Sequence, residues 1–179
     1  MTQELLKTIR IGLIGYGFHG QGAVVPAMRK SREIELVAVA DLSPANFEKL
    51  VDLRVARYLD YRSMLERERL DAVYIASRVE SHCEMAVAAL KAGLHVITEK
   101  PMAVSIQQCR RMIATAEKAQ RLLVVDFESR YIPEFRQIRK WIVEGRLGRI
   151  HAIHVDDMWD GHKIWGGLGE RRRRFLNSS

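Results

Sequence analysis

A chain of 179 residues, 47% hydrophobic and 28% charged, has room for one ordinary domain that buries roughly 70% of its extended-chain surface, and not for two full ones. No apolar run nears the ~20 residues that cross a bilayer and Met1 to Lys7 carry no signal-peptide pattern, so no membrane partner is expected and a cytoplasmic location follows. The net charge of +7 is partly a tail effect, since Glu170 with Arg171 to Arg174 contributes +3, and elsewhere charges of both signs intersperse, as in Glu66-Arg67-Glu68-Arg69, which argues against a nucleic-acid partner.

Over residues 8 to 126 short apolar runs alternate with helical patterns, the signature of successive βα units around a parallel sheet. The first strand is expected at Ile9 to Ile14, and the helix opening at Gly20 contains Pro26, which removes a backbone donor and should kink it. After a strand at Ile34 to Ala40, Ser43-Pro44 supplies an N-cap and a first-turn proline for a helix bearing Phe47, Leu50 and Val51. A weaker strand at Val55 to Tyr58 leads to a helix capped by Asp60, with Met64 and Leu65 facing inward. Beyond a strand at Val73 to Ala76, the stripe Cys83, Ala86, Val87 and Leu90 marks a helix that ends at Gly93. The fifth strand, His95 to Thr98, stops at Pro101, leaving Glu99 and Lys100 at its carboxyl edge. Ser105 with Gln108 forms a capping box before Ile106, Cys109, Ile113 and Ala116, and Leu122 to Val125 is the sixth strand. Pro133 opens a helix with Phe135, Ile138 and Ile142 that Gly145 closes, and Ile150 to Asp157 alternates like a single strand. Gly161 to Ser179 reads as an unfinished second domain. Cys83 and Cys109 lack metal-ligand spacing and are read as small core residues in a reducing compartment, so no metal is expected.

Chemistry concentrates at strand ends. Gly15-Tyr16-Gly17-Phe18-His19-Gly20 places G-x-G-x-x-G directly after the first strand and at the mouth of a helix, the context a dinucleotide fingerprint requires. Gly15 permits the tight turn, Gly17 lets backbone approach a pyrophosphate and Gly20 lets helix pack on strand, although glycines also serve as turn punctuation. Asp41 ends the second strand, where a carboxylate accepts from a ribose 2′-hydroxyl and repels a 2′-phosphate. NAD is thus favoured, with NADP as the alternative because Arg54, Arg57 and Arg78 could approach that pocket; Asp41 as a neighbour of a helix cap is the plainer reading. Glu99 and Lys100 lie at the sheet edge where ligands bind, or are ordinary solvated charges.

Together these residues resemble the Gfo/Idh/MocA (glucose-fructose oxidoreductase and inositol dehydrogenase) family. The resemblance covers roughly residues 8 to 157 and rests on the glycine run, Ala40-Asp41, Ala76 to His82, Ala89 to Val96 running into Glu99-Lys100-Pro101, and Arg130-Tyr131 before Pro133. It implies an α/β fold, a Rossmann doubly wound parallel sheet over residues 1–127, followed over 128–179 by a connecting helix and only the start of a second α/β domain for substrate and oligomerisation. It implies hydride transfer between nicotinamide and a carbinol carbon of a sugar, cyclitol or related polyol. By the same resemblance, Lys100 contacts the substrate hydroxyl and polarises it or assists its deprotonation, Glu99 holds the nicotinamide ribose, and His82 sits beside the cofactor or is simply a helix-start residue. Arg130 and Tyr131 border the substrate cleft or pack between domains. Where the family usually has Thr-Pro, this chain has Ser77-Arg78, which sets an extra cation near the cofactor.

The leading expectation is therefore the dinucleotide-binding part of an NAD(P)-dependent dehydrogenase that binds cofactor but does not turn over alone, and that forms homo-oligomers through the strand at Ile150 to Val155. A non-enzymatic dinucleotide-binding or regulatory module is the alternative, and an S-adenosylmethionine-dependent methyltransferase a more distant one.

Overall fold

The computed structural model describes residues 8–52 and 54–156. The chain divides into two compact units, one ending at Ile132 and one beginning at Pro133. In the first unit the strands are β1 (Ile9–Ile14), β2 (Ile34–Ala40), β3 (Ala56–Tyr58), β4 (Ala72–Ile75), β5 (His95–Glu99) and β6 (Leu123–Asp126). All pair in parallel, in the order β3-β2-β1-β4-β5-β6. That order reverses between β1 and β4, the switch point at which doubly wound sheets open a ligand crevice.

Both faces of the sheet are covered, because alternate residues of each strand point to opposite sides. Ile11 and Leu13 of β1 and Ala72 and Tyr74 of β4 join one apolar cluster with Val24, Val25 and Met28. Ile14, Val73 and Ile75 join the other, with Cys83, Ala86, Leu90 and Met112. The helices of this unit are α1 (Val25–Lys30), α2 (Tyr61–Arg67), α3 (Val79–Lys91) and α4 (Ile106–Ala119). Asp60 caps α2 by accepting from the Arg62 N–H, and the Ser105 hydroxyl caps α4 by accepting from the Gln108 N–H at 3.2 Å. Gly93, at φ 83°, ends α3 in the left-handed region.

One expectation gains a physical form and three change. At Pro26 the helical run is distorted and not ended: the π turn Gly20–Val24 leads straight into α1, and this widened turn just ahead of Pro26 takes up its missing backbone donor. Pro44–Lys49 is a 3₁₀ helix without a Ser43 side-chain cap, and Val51 is exposed; the Ser43 N–H is instead taken by the Asp41 carboxylate at 2.8 Å. On α4 the buried residues are Met112 and Ala116, while Ile106 and Ile113 are exposed and Cys109 is half-buried. Finally, residues 150–156 form no strand. A lone strand has no ladder to hold it. Asp157 and residues 161–179 lie outside the described residues. In the second unit, α5 (Pro133–Val143) is followed by Gly145 at φ 70°.

Candidate functional site

Every strand of a parallel sheet delivers its carboxyl end to the same edge, so the residues that follow β1, β2, β4, β5 and β6 converge there. After β1, Gly15 adopts φ 98°, and a Cβ on it would lie 2.7 Å from the Ala76 backbone. The turn and the close approach to the β4 loop both demand glycine. At Gly20 a Cβ would stand 2.5 Å from the Gly15 carbonyl oxygen, so this glycine lets the loop fold onto the π turn. Gly17 is different: a Cβ there would meet nothing within 4 Å. Its backbone borders open space at the loop crest, as a cradle for a diphosphate requires, and the loop therefore fits a dinucleotide.

Asp41 anchors the loop from the end of β2. Its Oδ2 accepts from the Tyr16 N–H at 2.7 Å, and its Oδ1 accepts from the Ser43 N–H and the Asn46 Nδ2, at 2.8 and 2.9 Å. A carboxylate offers about four acceptor sites, so one remains for a ribose hydroxyl. Tyr16 is buried beneath, its hydroxyl 3.5 Å from the Lys49 carbonyl oxygen, and Phe18 and His19 stand outward. None of Arg54, Arg57 and Arg78 contacts Asp41: Arg54 pairs with Asp52, Arg57 donates to the Leu50 carbonyl, and Arg78 pairs with Glu80.

Beyond the switch point, a hydrogen-bonded chain runs along the edge. His19 Nε2 lies 2.7 Å from Glu99 Oε1, tying the glycine loop to the end of β5. The same oxygen accepts from the Tyr74 hydroxyl at 2.7 Å, and that hydroxyl also lies 2.6 Å from Asp126 Oδ2. Burial and the two carboxylates push the Tyr74 phenol far above its usual range. Glu99 Oε2 accepts from the Lys100 N–H at 3.2 Å. The Lys100 ammonium reaches Glu128 at 2.9 Å, which raises the lysine and lowers the glutamate from their ordinary values. The Lys100–Pro101 peptide is cis.

His82 is buried in the first turn of α3, with Nδ1 3.1 Å from the Pro101 carbonyl oxygen and Nε2 3.2 Å from that of Ser77. A neutral imidazole donates from one nitrogen only, so each tautomer ties the helix to one of these two loops. Ser77 and Arg78 form the turn after β4, and Ser77 Oγ lies 3.2 Å from Met85 Sδ. Arg130 and Tyr131 are exposed on the 3₁₀ turn Glu128–Tyr131, with the Arg130 guanidinium over the Phe127 ring. No group of His, Cys, Asp and Glu suited to a metal occurs among the described residues.

Tyr74, Asp126 and Glu128 were not expected at this edge. Tyr74 reads in the sequence as one more apolar strand residue. Asp126 and Glu128, however, follow the β6 run as Glu99 and Lys100 follow β5, so the same strand-end argument would have found them.

Residues 9–127 match the model of the Gfo/Idh/MocA family, described as an oxidoreductase family with an NAD-binding Rossmann fold. The chain belongs to this family. Membership ends the methyltransferase alternative and agrees with the glycine loop just described. The inositol 2-dehydrogenase/D-chiro-inositol 3-dehydrogenase of Lactiplantibacillus plantarum is 31% identical over 144 residues, 78% of this chain and 41% of that one. The crystal structure of scyllo-inositol dehydrogenase from Lactobacillus casei with NAD(H) and scyllo-inositol superposes with a TM-score of 0.75 at 27% identity, covering 80% of this chain and 43% of that one. A 3-ketoreductase from Actinomadura kijaniata, in complex with TDP-benzene and NADP, gives 0.73 at 29% identity, covering 80% and 46%. The chain spans about two fifths of the length of the first curated Gfo/Idh/MocA relatives it matches. No helix among the described residues is long and apolar enough to cross a membrane.

Proposed function

We propose that this chain is the dinucleotide-binding part of an NAD-dependent dehydrogenase acting at a carbinol carbon of a cyclitol, sugar or related polyol. The observation that carries the reading is the tie between the open glycine loop and the end of β5, His19 to Glu99 at 2.7 Å, which sets Lys100 at the same edge as the phosphate cradle. The names of the inositol-acting relatives support the substrate class.

When bound, the nicotinamide supplies the site that takes or gives hydride. The residues of this chain do the rest of the positioning. Gly15, Gly17 and Gly20 with Tyr16, Phe18 and His19 form the phosphate loop, Asp41 keeps one acceptor site for the adenosine ribose, and Glu99 faces the nicotinamide ribose. Ser77, Arg78 and His82 shape the wall after β4. Lys100, held as an ammonium by Glu128, suits donation of a hydrogen bond or a proton to the substrate oxygen better than removal of one. Arg130 and Tyr131 are assigned to the substrate side.

Titration with NADH, followed by calorimetry, tests the reading, and absence of binding at millimolar cofactor would refute it. NADH should bind more tightly than NADPH, because Asp41 repels a 2′-phosphate; equal affinities would remove that role from Asp41. Self-association is part of the proposal as well. Its support is α5, on which Phe135, Ile138 and Ile142 form one apolar stripe that remains exposed. Sedimentation that shows only monomer at high concentration would count against it.

A further inference from the structure

Asp41 stands at the end of β2 and the glycine loop follows β1, so a dinucleotide that lays its first half on this side must lay its second over β4, β5 and β6. Arg78 pairs with Glu80 on the turn after β4, and Arg130 lies over the Phe127 ring after β6. Glu99 and Asp126 both turn onto the Tyr74 hydroxyl, and Glu99 also takes His19 Nε2 and the Lys100 N–H. The Lys100 ammonium itself reaches out to Glu128, with side-chain exposures of 43% and 56%. Glu128 sits on the turn that follows β6, two residues past Asp126.

An oxidised nicotinamide ring carries a positive charge, and the reduced ring carries none. An unbalanced ammonium beside the ring would therefore penalise the oxidised form alone. We propose that Glu128 is a positioning residue for Lys100, which fixes the ammonium at the nicotinamide half of the sheet edge and cancels its charge there, so that the half-site admits the oxidised ring. The amine is carried on a flexible four-carbon stem, and a partner 2.9 Å away limits where it can swing. As a surface ion pair it contributes little to stability, so its consequence lies in cofactor discrimination. The inference rests on the dinucleotide reading of this edge.

The test measures Kd for NAD⁺ and NADH by calorimetry with the 179-residue chain, as wild type, Glu128→Gln, Glu128→Asp, and Lys100→Met combined with Glu128→Gln. In Glu128→Gln the ratio Kd(NAD⁺)/Kd(NADH) should rise about fivefold, the size expected for unit charges a few ångströms apart in a wet site. The increase should shrink as ionic strength is raised. Glu128→Asp should recover much of the wild-type ratio, and the double variant should return to it because no ammonium is left unbalanced. A Glu128→Gln ratio equal to wild type, or equal loss of both cofactors, overturns the proposal while leaving the dinucleotide reading intact. A wild type that binds neither cofactor overturns both.

Discussion

At Tyr74 a single phenolic proton faces two carboxylate oxygens, from Glu99 at 2.7 Å and Asp126 at 2.6 Å. Burial is the larger cause that holds the phenol protonated, and the hydrogen bonds to Asp126 and Glu99 add to it. Its folded pKa lies above the unfolded value of about 10, so the linked stability is fully present below that pH and is lost as pH rises beyond it. Denaturant unfolding between pH 9 and 12 should therefore show a steeper fall for wild type than for Tyr74→Phe, and parallel slopes would contradict the assignment. Tyr58 and Tyr61 shift in the same direction, so the variant keeps part of the slope. The glycine loop allows a sharper separation of fold from function. Gly15→Ala combines a positive φ with a Cβ 2.7 Å from backbone, and should cost at least ~2 kcal/mol. Gly17→Ala meets nothing, so its stability should stay within ~0.5 kcal/mol of wild type while NADH affinity drops about tenfold or more. Unchanged NADH binding by Gly17→Ala would show that the loop crest is not the phosphate cradle. The sequence pattern already pointed to Gly15, Gly17, Gly20, Asp41, Glu99 and Lys100, because strand-end position is a local property. It could not pair Lys100 with Glu128 or Tyr74 with Asp126, since those partners come from different strands.

For whole elements, periodicity located every strand to within a residue or so, while the face a helix buries depended on its neighbours. α4 shows the difference. Its apolar stripe in the sequence includes Ile106 and Ile113, yet the fully buried residue is Met112, about 100° around the helix from Ile113. The helix packs on α3 and β6, and β6 is the last strand of the sheet. One flank of α4 therefore extends past the sheet that would have covered it. Met112→Ala should destabilise by about 2–5 kcal/mol, and Ile113→Ala by well under 1 kcal/mol; thermal melts that rank them the other way would refute this placement. Ser105→Ala removes the cap of the same helix and should cost ~1 kcal/mol. Pro26 marks another limit of reading elements singly. A proline inside a helical pattern signals disruption, but only the folded backbone reveals that a π turn absorbs it at Gly20–Val24.

At the scale of the molecule, six parallel strands form one sheet whose order places the switch point beside the glycine loop. A cofactor that binds only the folded state stabilises it by mass action, so NADH at a hundred times its Kd should add ~2.7 kcal/mol and raise Tm by roughly 5–10 °C. No shift at saturating NADH would argue against a preformed site. The strand anticipated at Ile150 to Val155 illustrates why alternation is not enough: a strand exists through its pairing, and residues 150–156 form none. What the sequence by itself determined is the parallel α/β fold, the family and the strand-end residues, because hydrophobic period, turn glycines and motif spacing are written along the chain. What only the tertiary structure decided is which of those residues meet. The Asp126–Tyr74–Glu99–His19 chain and the Lys100–Glu128 pair arise from parallel strands delivering distant segments to one edge, a proximity that no local pattern encodes.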